Sequence, residues 1–241
     1  MAESQFPKTL VVIPALNEAE SIARVVGQVR QHAPWADICV INDGSHDATG
    51  RIAEECGAIV LHLPYNVGIG AAVQTGFIYA ARHGYEVVVR NDGDGQHESE
   101  DIRRIVCELP GLDMVIGSRY LEDRGYITSL PRRIGIVILA RLISLIVGQR
   151  ITDPTSGFSA FNRRAIALCA RLYPHDYPEP EAIVMLHRAG LRIREIPVTM
   201  LPRRNGQSSI TPLRSLYYMV KVILAILVGL LRPAPQDTAA G

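Results

Sequence analysis

Residues 86–97 read EVVVRNDGDGQH: an apolar, β-branched run that ends abruptly in Arg90 and Asn91 and then in two carboxylates, Asp92 and Asp94, spaced by glycine. The first part is the composition of a strand buried on both faces, and the second is a polar, turn-forming rim. The same grammar recurs along the first half of the chain. TLVVIP (9–14) runs into Asn17 and Glu18, ICVIN (38–42) into Asp43, Gly44 and Ser45, and AIVLHL (58–63) into Asn66 and Gly68. A fifth apolar run, DMVIG, spans 113–117. Helical patterns separate the runs, at 20–31, 47–56, 70–83 and 99–108, with Gly57 and Gly84 as stops. Alternation of this kind predicts an α/β fold with a mostly parallel sheet flanked by helices. In such sheets ligands bind beyond the carboxyl ends of the strands, where these polar residues fall.

Asp92 and Asp94 at a strand end can both reach one hard divalent cation, and Gly93 lets a diphosphate approach the backbone. An Asp/Gly turn has the same composition. Asp43 could accept hydrogen bonds from a base or ribose, or simply structure a turn. NVGIG (66–70) lacks the lysine of a phosphate loop and the third glycine of a dinucleotide fingerprint, which argues against either cofactor class.

Charge is informative in its distribution. The chain of 241 residues has 25 Lys plus Arg and 24 Asp plus Glu, a net charge of +1. Between Asp123 and Asp153 and again between Glu195 and Asp237 there is no acid, while the two windows hold ten cations; the remainder has 15 cations against 24 acids, a balance of −9. The windows are otherwise very apolar, IGIVILARLISLIV (134–147) and the stretch 216–231, each shorter than the roughly 20 apolar residues of a comfortable span. Apolar helices flanked by Lys and Arg suit the interface of an anionic leaflet or the face of a membrane partner. The cations lie among aliphatic rather than stacking aromatic residues and the body is acidic, so a nucleic-acid partner is not expected. Cys39, Cys56, Cys107 and Cys169 are far apart with no CxxC pair, which predicts reduced core or near-core thiols in a cytosolic protein. The N-terminus, MAESQFPK, carries an acid and no long apolar run, so no secretory signal is expected.

Eight ordered blocks carry a family resemblance: VVIPALNEAESI (11–22), VINDGSHDATG (40–50), NVGIGAAVQTGF (66–77), NDGDGQHESEDI (91–102), DMVIGSRY (113–120), TDPTSGFSAFNRRA (152–165), YPEPEAIVMLHRAGLRIREIPV (177–198) and RRNGQS (203–208). Through them the sequence resembles the family 2 glycosyltransferases of the GT-A fold, and among these the dolichol- or polyprenyl-phosphate sugar synthases, such as those for mannose. The resemblance implies that Pro14, Ala15, Asn17, Glu18, Asp43 and Gly70 help hold a nucleoside-diphosphate sugar. It implies that Asp92, Asp94 and Gln96 form a Mg²⁺ or Mn²⁺ site, with Gly93 beside the diphosphate. Arg203 would pair with the donor diphosphate, and Arg119 with Arg132 or Arg133 would meet the phosphate of a polyprenyl acceptor.

Asn42 departs from the family pattern, where a second Asp is common, and Gly93 replaces a common Ala. The QxxRW of processive polysaccharide synthases is absent, and the one Trp is Trp35. The expected activity is inverting sugar transfer at the cytoplasmic face of the membrane, with a small membrane subunit or a homo-oligomer as a plausible partner. Were the acceptor a sugar hydroxyl, a base would be required, and Asp153, Glu179 and Glu181 are the candidates, Asp153 first. A non-catalytic sugar-nucleotide scaffold is the remaining alternative, disfavoured by the intact pair of aspartates. The expected layout is a catalytic domain over 1–211 including an apolar helix at about 133–148, a C-terminal apolar interface helix over 212–232, and a tail over 233–241.

Overall fold

The computed structural model describes residues 6–93, 100–122, 130–199 and 212–235. The described elements run β1 (Thr9–Ala15), α1 (Ile22–His32), β2 (Asp37–Asn42), α2 (Thr49–Glu55), β3 (Ile59–His62), α3 (Ile69–Arg82), β4 (Val87–Arg90), α4 (Asp101–Cys107), β5 (Met114–Ser118), α5 (Leu130–Val147), β6 (Ser159–Asn162), α6 (Arg163–Leu172), α7 (Pro178–Arg188), β7 (Ile193–Pro197) and α8 (Pro212–Leu231). The strands form one sheet in the order β3-β2-β1-β4-β6-β5-β7. All neighbours are parallel except that β6 is antiparallel to both β4 and β5.

Side chains alternate across this sheet with period two. In β1, Leu10 and Val12 join the core that holds Phe77, Phe161 and Ile166, whereas Val11 and Ile13 join the core beneath α1, with Ile22, Val25, Val26 and Val29. The central strands are therefore buried on both faces, as their unbroken apolar runs predict. On one face α3 comes close because Gly76 has no side chain; a Cβ there would strike Val12.

Strands β6 and β7 have no counterpart among the five runs read from the sequence. SAFN is four residues long and leads directly into α6, with the Asn162 side chain capping that helix by accepting from Ala165 N–H. In β7 an exposed Arg194 and a half-buried Glu195 break the apolar run.

Chain order sets the position of the cleft. β2 and β3 step outward on one side of β1 while β4 lies on the other, so the connections diverge and a crevice opens at the carboxyl ends of β1 and β4. Helices α5 and α8 pack together, and both touch α7. Arg188 at the end of α7 donates to Gly229 O and Arg232 O, each at 2.6 Å. One side of α5 is buried through Ile136, Leu139, Ile143 and Val147, while Leu130, Ile134, Ile138 and Leu145 are exposed. In α8, Val222 and Ile226 are buried while Val220, Leu224, Leu227, Val228 and Leu231 are exposed. No helix among the described residues is long and apolar enough to cross a membrane. Cys39 and Cys169 are buried free thiols, with burial pushing Cys39 up to about 12. Cys107 is exposed and Cys56 only half-buried, so the expectation of core cysteines holds fully for two of the four.

Candidate active site

The crevice is a cleft of about 370 Å³ whose lining includes Pro14, Ala15, Glu18, Asp43, Asp92 and Gly93. Each of these lies at or just beyond the carboxyl end of a strand. Asn17 and Gly70 are not in the lining. Asn17 sits in the left-handed region at φ 54°, which asparagine tolerates, and it joins two loops. Its N–H donates to Ser45 Oγ at 3.0 Å, and its Oδ1 accepts from His46 N–H at 2.9 Å. Gly70 lacks a side chain for a packing reason, since a Cβ would strike the backbone of Pro174 and His175.

The neighbouring contacts complete this stitching. Glu18 N–H donates to Thr49 Oγ1 at 2.8 Å, and Asp47 Oδ2 accepts from Ala19 N–H at 3.1 Å. Slight desolvation works against ionisation of Asp47, but hydrogen bonds from Thr49 and Ala19 outweigh it and hold its carboxyl below the usual carboxylate range. The Asp43 carboxylate is buried and accepts from Val67 N–H at 2.8 Å and Gly68 N–H at 3.1 Å. It thereby ties the end of β2 to the loop that enters α3. Asn42 supports the same turn by accepting from Ser45 N–H at 3.2 Å. Ser21 Oγ lies 2.6 Å from Glu18 Oε2 and 2.9 Å from Gly93 O, joining the rims of β1 and β4.

At the end of β4 the structure supplies a partner that sequence reasoning missed. Arg90 is buried, its Nη2 lying 2.5 Å from Glu179 Oε1 in the first turn of α7 and 3.5 Å from Asp92 Oδ1. Burial disfavours its charge, but Glu179, Tyr173 and Asp92 more than offset that and raise its pKa. Glu179, a candidate base in the sequence, is committed to this pair. Glu181 is half-buried, and burial, then Asp176, raises its pKa. Gly157 faces Asp92 so closely that any Cβ there would overlap the carboxylate. The available signal was a charged residue closing an apolar strand run, because a buried charge requires a partner.

Beyond β5 the arrangement differs. Arg119 Nε donates to Asp153 Oδ2 and Nη2 to Asp153 Oδ1, both at 2.6 Å; the Arg119 N–H reaches Oδ2 at 3.1 Å and Nη2 reaches Thr155 Oγ1 at 2.8 Å. Asp153 is completely buried. Both of its oxygens engage Arg119, so the role expected of it for a sugar-hydroxyl acceptor, that of a base, would require it to exchange this pair for the proton it removes. Behind it, Glu195 on β7 accepts from Thr152 N–H at 2.7 Å, Thr152 Oγ1 at 2.8 Å and Asp153 N–H at 2.8 Å. Burial raises the Glu195 pKa against the effect of those bonds. Arg119 and Arg133 meet around one ring, their guanidinium carbons lying 5.5 and 3.9 Å from the centroid of Tyr120.

Asp94, Gln96 and Arg203 lie outside the described residues, as does the side chain of Arg132. Among the described residues no group of three His, Cys, Asp or Glu side chains could hold a metal ion. Asp92 is the described donor of the expected set. Its carboxylate at the cleft, beside a glycine, has the hard oxygen chemistry that Mg²⁺ and Mn²⁺ prefer.

A crevice at the switch point of a mostly parallel sheet, with Asp43 and Asp92 at its rim, makes this an α/β protein with a ligand site at its strand ends. Residues 10–168 match the family model "Glycosyl transferase family 2", and the chain belongs to that family. It is 33% identical to the polyprenol monophosphomannose synthase of Mycolicibacterium smegmatis, over 85% of this chain and 81% of the relative. It is 32% identical to the undecaprenyl-phosphate mannosyltransferase of Micrococcus luteus, over 85% and 88%. Among solved structures, the glucosyl-3-phosphoglycerate synthase of Mycobacterium tuberculosis, crystallised with Mn²⁺, uridine diphosphate and glucosyl-3-phosphoglycerate, matches with a TM-score of 0.71. That match is at 21% identity and covers 95% of this chain and 81% of that one. The protein is therefore a glycosyltransferase.

Proposed function

We propose that this glycosyltransferase moves a sugar from a nucleoside diphosphate to a polyprenyl phosphate, with inversion, in a reaction that depends on Mg²⁺ or Mn²⁺. The observation that carries the acceptor assignment is the make-up of α5. Arg133 stacks on Tyr120 beside Arg119 in the first part of this helix, and Leu130, Ile134 and Ile138 are exposed apolar residues on the same helix. A polyprenyl phosphate is an anionic head on an apolar tail, and it requires that pairing. The names of the two bacterial relatives support the same class of acceptor.

Asp92, together with Asp94 and Gln96, would hold the cation. When bound, it supplies neutralisation of the charge that develops on the leaving diphosphate. The chain does the rest by position. Asp43 and the loop it pins, with Pro14, Ala15 and Glu18, form the donor cleft, and Arg203 pairs with the diphosphate through its planar fork. Gly70 supports the donor side indirectly, by setting how α3 docks.

A phosphate monoester has its second pKa at about 6, so the acceptor is already an anionic nucleophile at neutral pH and no base is needed. This suits an Asp153 engaged with Arg119: it holds the guanidinium that, with Arg132 or Arg133, sets the approach of the acceptor. The exposed faces of α5 and α8, with the exposed cations Arg141, Lys221 and Arg232, rest on an anionic leaflet at the inner face of the membrane.

The test is a donor panel of GDP-mannose, UDP-glucose and UDP-N-acetylglucosamine with Mg²⁺ or Mn²⁺ and a short polyprenyl phosphate, the products read by mass spectrometry. One lipid-linked monosaccharide is expected, abolished by chelation. Transfer to a free sugar but to no lipid phosphate would overturn the acceptor assignment.

A further inference from the structure

Asp92 lies at the cleft, yet next to it is a buried cation that attracts it. Arg90 Nη2 stands between two carboxylates, 2.5 Å from Glu179 Oε1 and 3.5 Å from Asp92 Oδ1, so a single nitrogen is shared unequally. Coulombic attraction falls with distance, and Glu179 is the dominant partner. Tyr173 steadies the other arm of the guanidinium, its hydroxyl 3.4 Å from Nη1. Arg90 cannot leave, because it is buried in a strand whose neighbours are β1 and β6. Nor can Asp92 back away freely, because the Gly157 backbone is packed against its carboxylate. The placement of Asp92 therefore depends on how much of the charge of Arg90 is already taken up.

We propose that Glu179 is a positioning residue for Asp92: by occupying Arg90 from α7, it keeps the Asp92 carboxylate at the cleft and available to a divalent cation and a donor diphosphate. Without the carboxylate at 179, Arg90 would be a buried charge with Asp92 as its nearest remaining acidic partner, and would draw that carboxylate into a closed pair. A buried charge stripped of its partner is costly, and that cost drives the rearrangement. The inference rests on the metal-dependent donor chemistry proposed above. It adds that a residue of the α6–α7 region controls the site while itself contacting neither metal nor substrate.

Binding of Mn²⁺, followed by the loss of the free-ion electron paramagnetic resonance signal in the presence of UDP and separately of GDP, tests this without turnover. Glu179→Gln is expected to bind Mn²⁺ about tenfold more weakly, the usual scale for groups that orient a metal ligand, with a urea denaturation midpoint showing that the fold persists. Arg90→Met combined with Glu179→Gln removes the competing cation, and it is expected to bind more tightly than Glu179→Gln alone. A merely structural ion pair predicts the reverse, since the double variant loses at least as much structure. Unchanged Mn²⁺ binding in a folded Glu179→Gln protein would overturn the inference. If Glu179→Gln does not fold, the double variant decides: binding near that of the wild type supports the proposal, and a loss as deep as that of Asp92→Asn overturns it. Failure of the wild-type protein to bind Mn²⁺ with either nucleotide would instead overturn the metal reading itself, and this inference with it.

Discussion

At the ends of β1, β2 and β3 the acidic and amide side chains bond mainly to backbone N–H groups of adjoining loops: Asp43 to Val67 and Gly68, Asn17 to His46, Asp47 to Ala19 and Thr49. At the ends of β4 and β5 the charged side chains bond to one another, Arg90 to Glu179 and Arg119 to Asp153, with Glu195 stacked behind. The two regions solve one problem differently. A carboxylate met by amides keeps its charge with no counter-ion and needs only a loop of suitable length. A guanidinium taken out of water requires a carboxylate in excellent geometry, which fixes the second partner as tightly as the first. The rims of β1 and β2 are accordingly held by single side chains on backbone N–H groups 24 to 29 positions away, and those of β4 and β5 by ion pairs in which each partner fixes the other.

Breaking the Arg119–Asp153 pair should have the largest effect. Asp153→Ala leaves Arg119 buried without its carboxylate and is expected to cost about 3–5 kcal/mol of stability, measured by urea unfolding. Asp43→Ala, at a buried carboxylate held by amides, should cost less, and equal losses would erase the contrast between the regions.

Where the two regions meet, Gly157→Ala places a methyl group against Asp92 and is expected to lower kcat/KM on the order of 100-fold, as a displacement of about 1 Å does. Circular dichroism should show an unchanged fold. Replacing exposed Leu145 by Ser removes an apolar side chain from the outer face of α5 and is expected to weaken co-sedimentation with anionic vesicles by roughly tenfold, while leaving transfer to a short soluble acceptor intact.

The smallest effect concerns pH. The folded-state pKa of Glu195 lies above its usual 4.5, so its contribution to stability is fully present below that value and is lost as pH rises through the raised pKa. Glu195→Gln should remove that part of the slope. Urea midpoints of the two proteins, measured at intervals upward from pH 4.5, should converge or cross in favour of the variant as pH rises.

Legibility followed the same division. Strands β1 to β5 were readable because each is an apolar run ended by turn chemistry, and the cleft residues Glu18, Asp43 and Asp92 follow from the rule that such strand ends bind ligands, with Pro14 added by the family resemblance. Strand β6 was not readable: four residues inserted antiparallel between β4 and β5 leave too short a pattern, and their pairing comes from elsewhere in the chain. Asn17 and Gly70 were read as donor contacts from motif blocks; the loop bonds of Asn17 and the close docking of α3 at Gly70 were not readable there, because their partners come from other loops. Asp153 was visible as a carboxylate at the head of TDPTSGF, but its role depends on Arg119, 34 positions away.

By itself the sequence determined the α/β class, the polar rim at the strand ends, the family, and the segregation of cations into two apolar, acid-free windows. These are local properties: periodicity, turn chemistry and composition act within a few residues. Only the tertiary structure decided which carboxylates face the cleft and which are consumed by buried arginines. That choice depends on distances of a few ångströms between residues as far apart as Arg90 and Glu179, and burial multiplies the energy of such pairs.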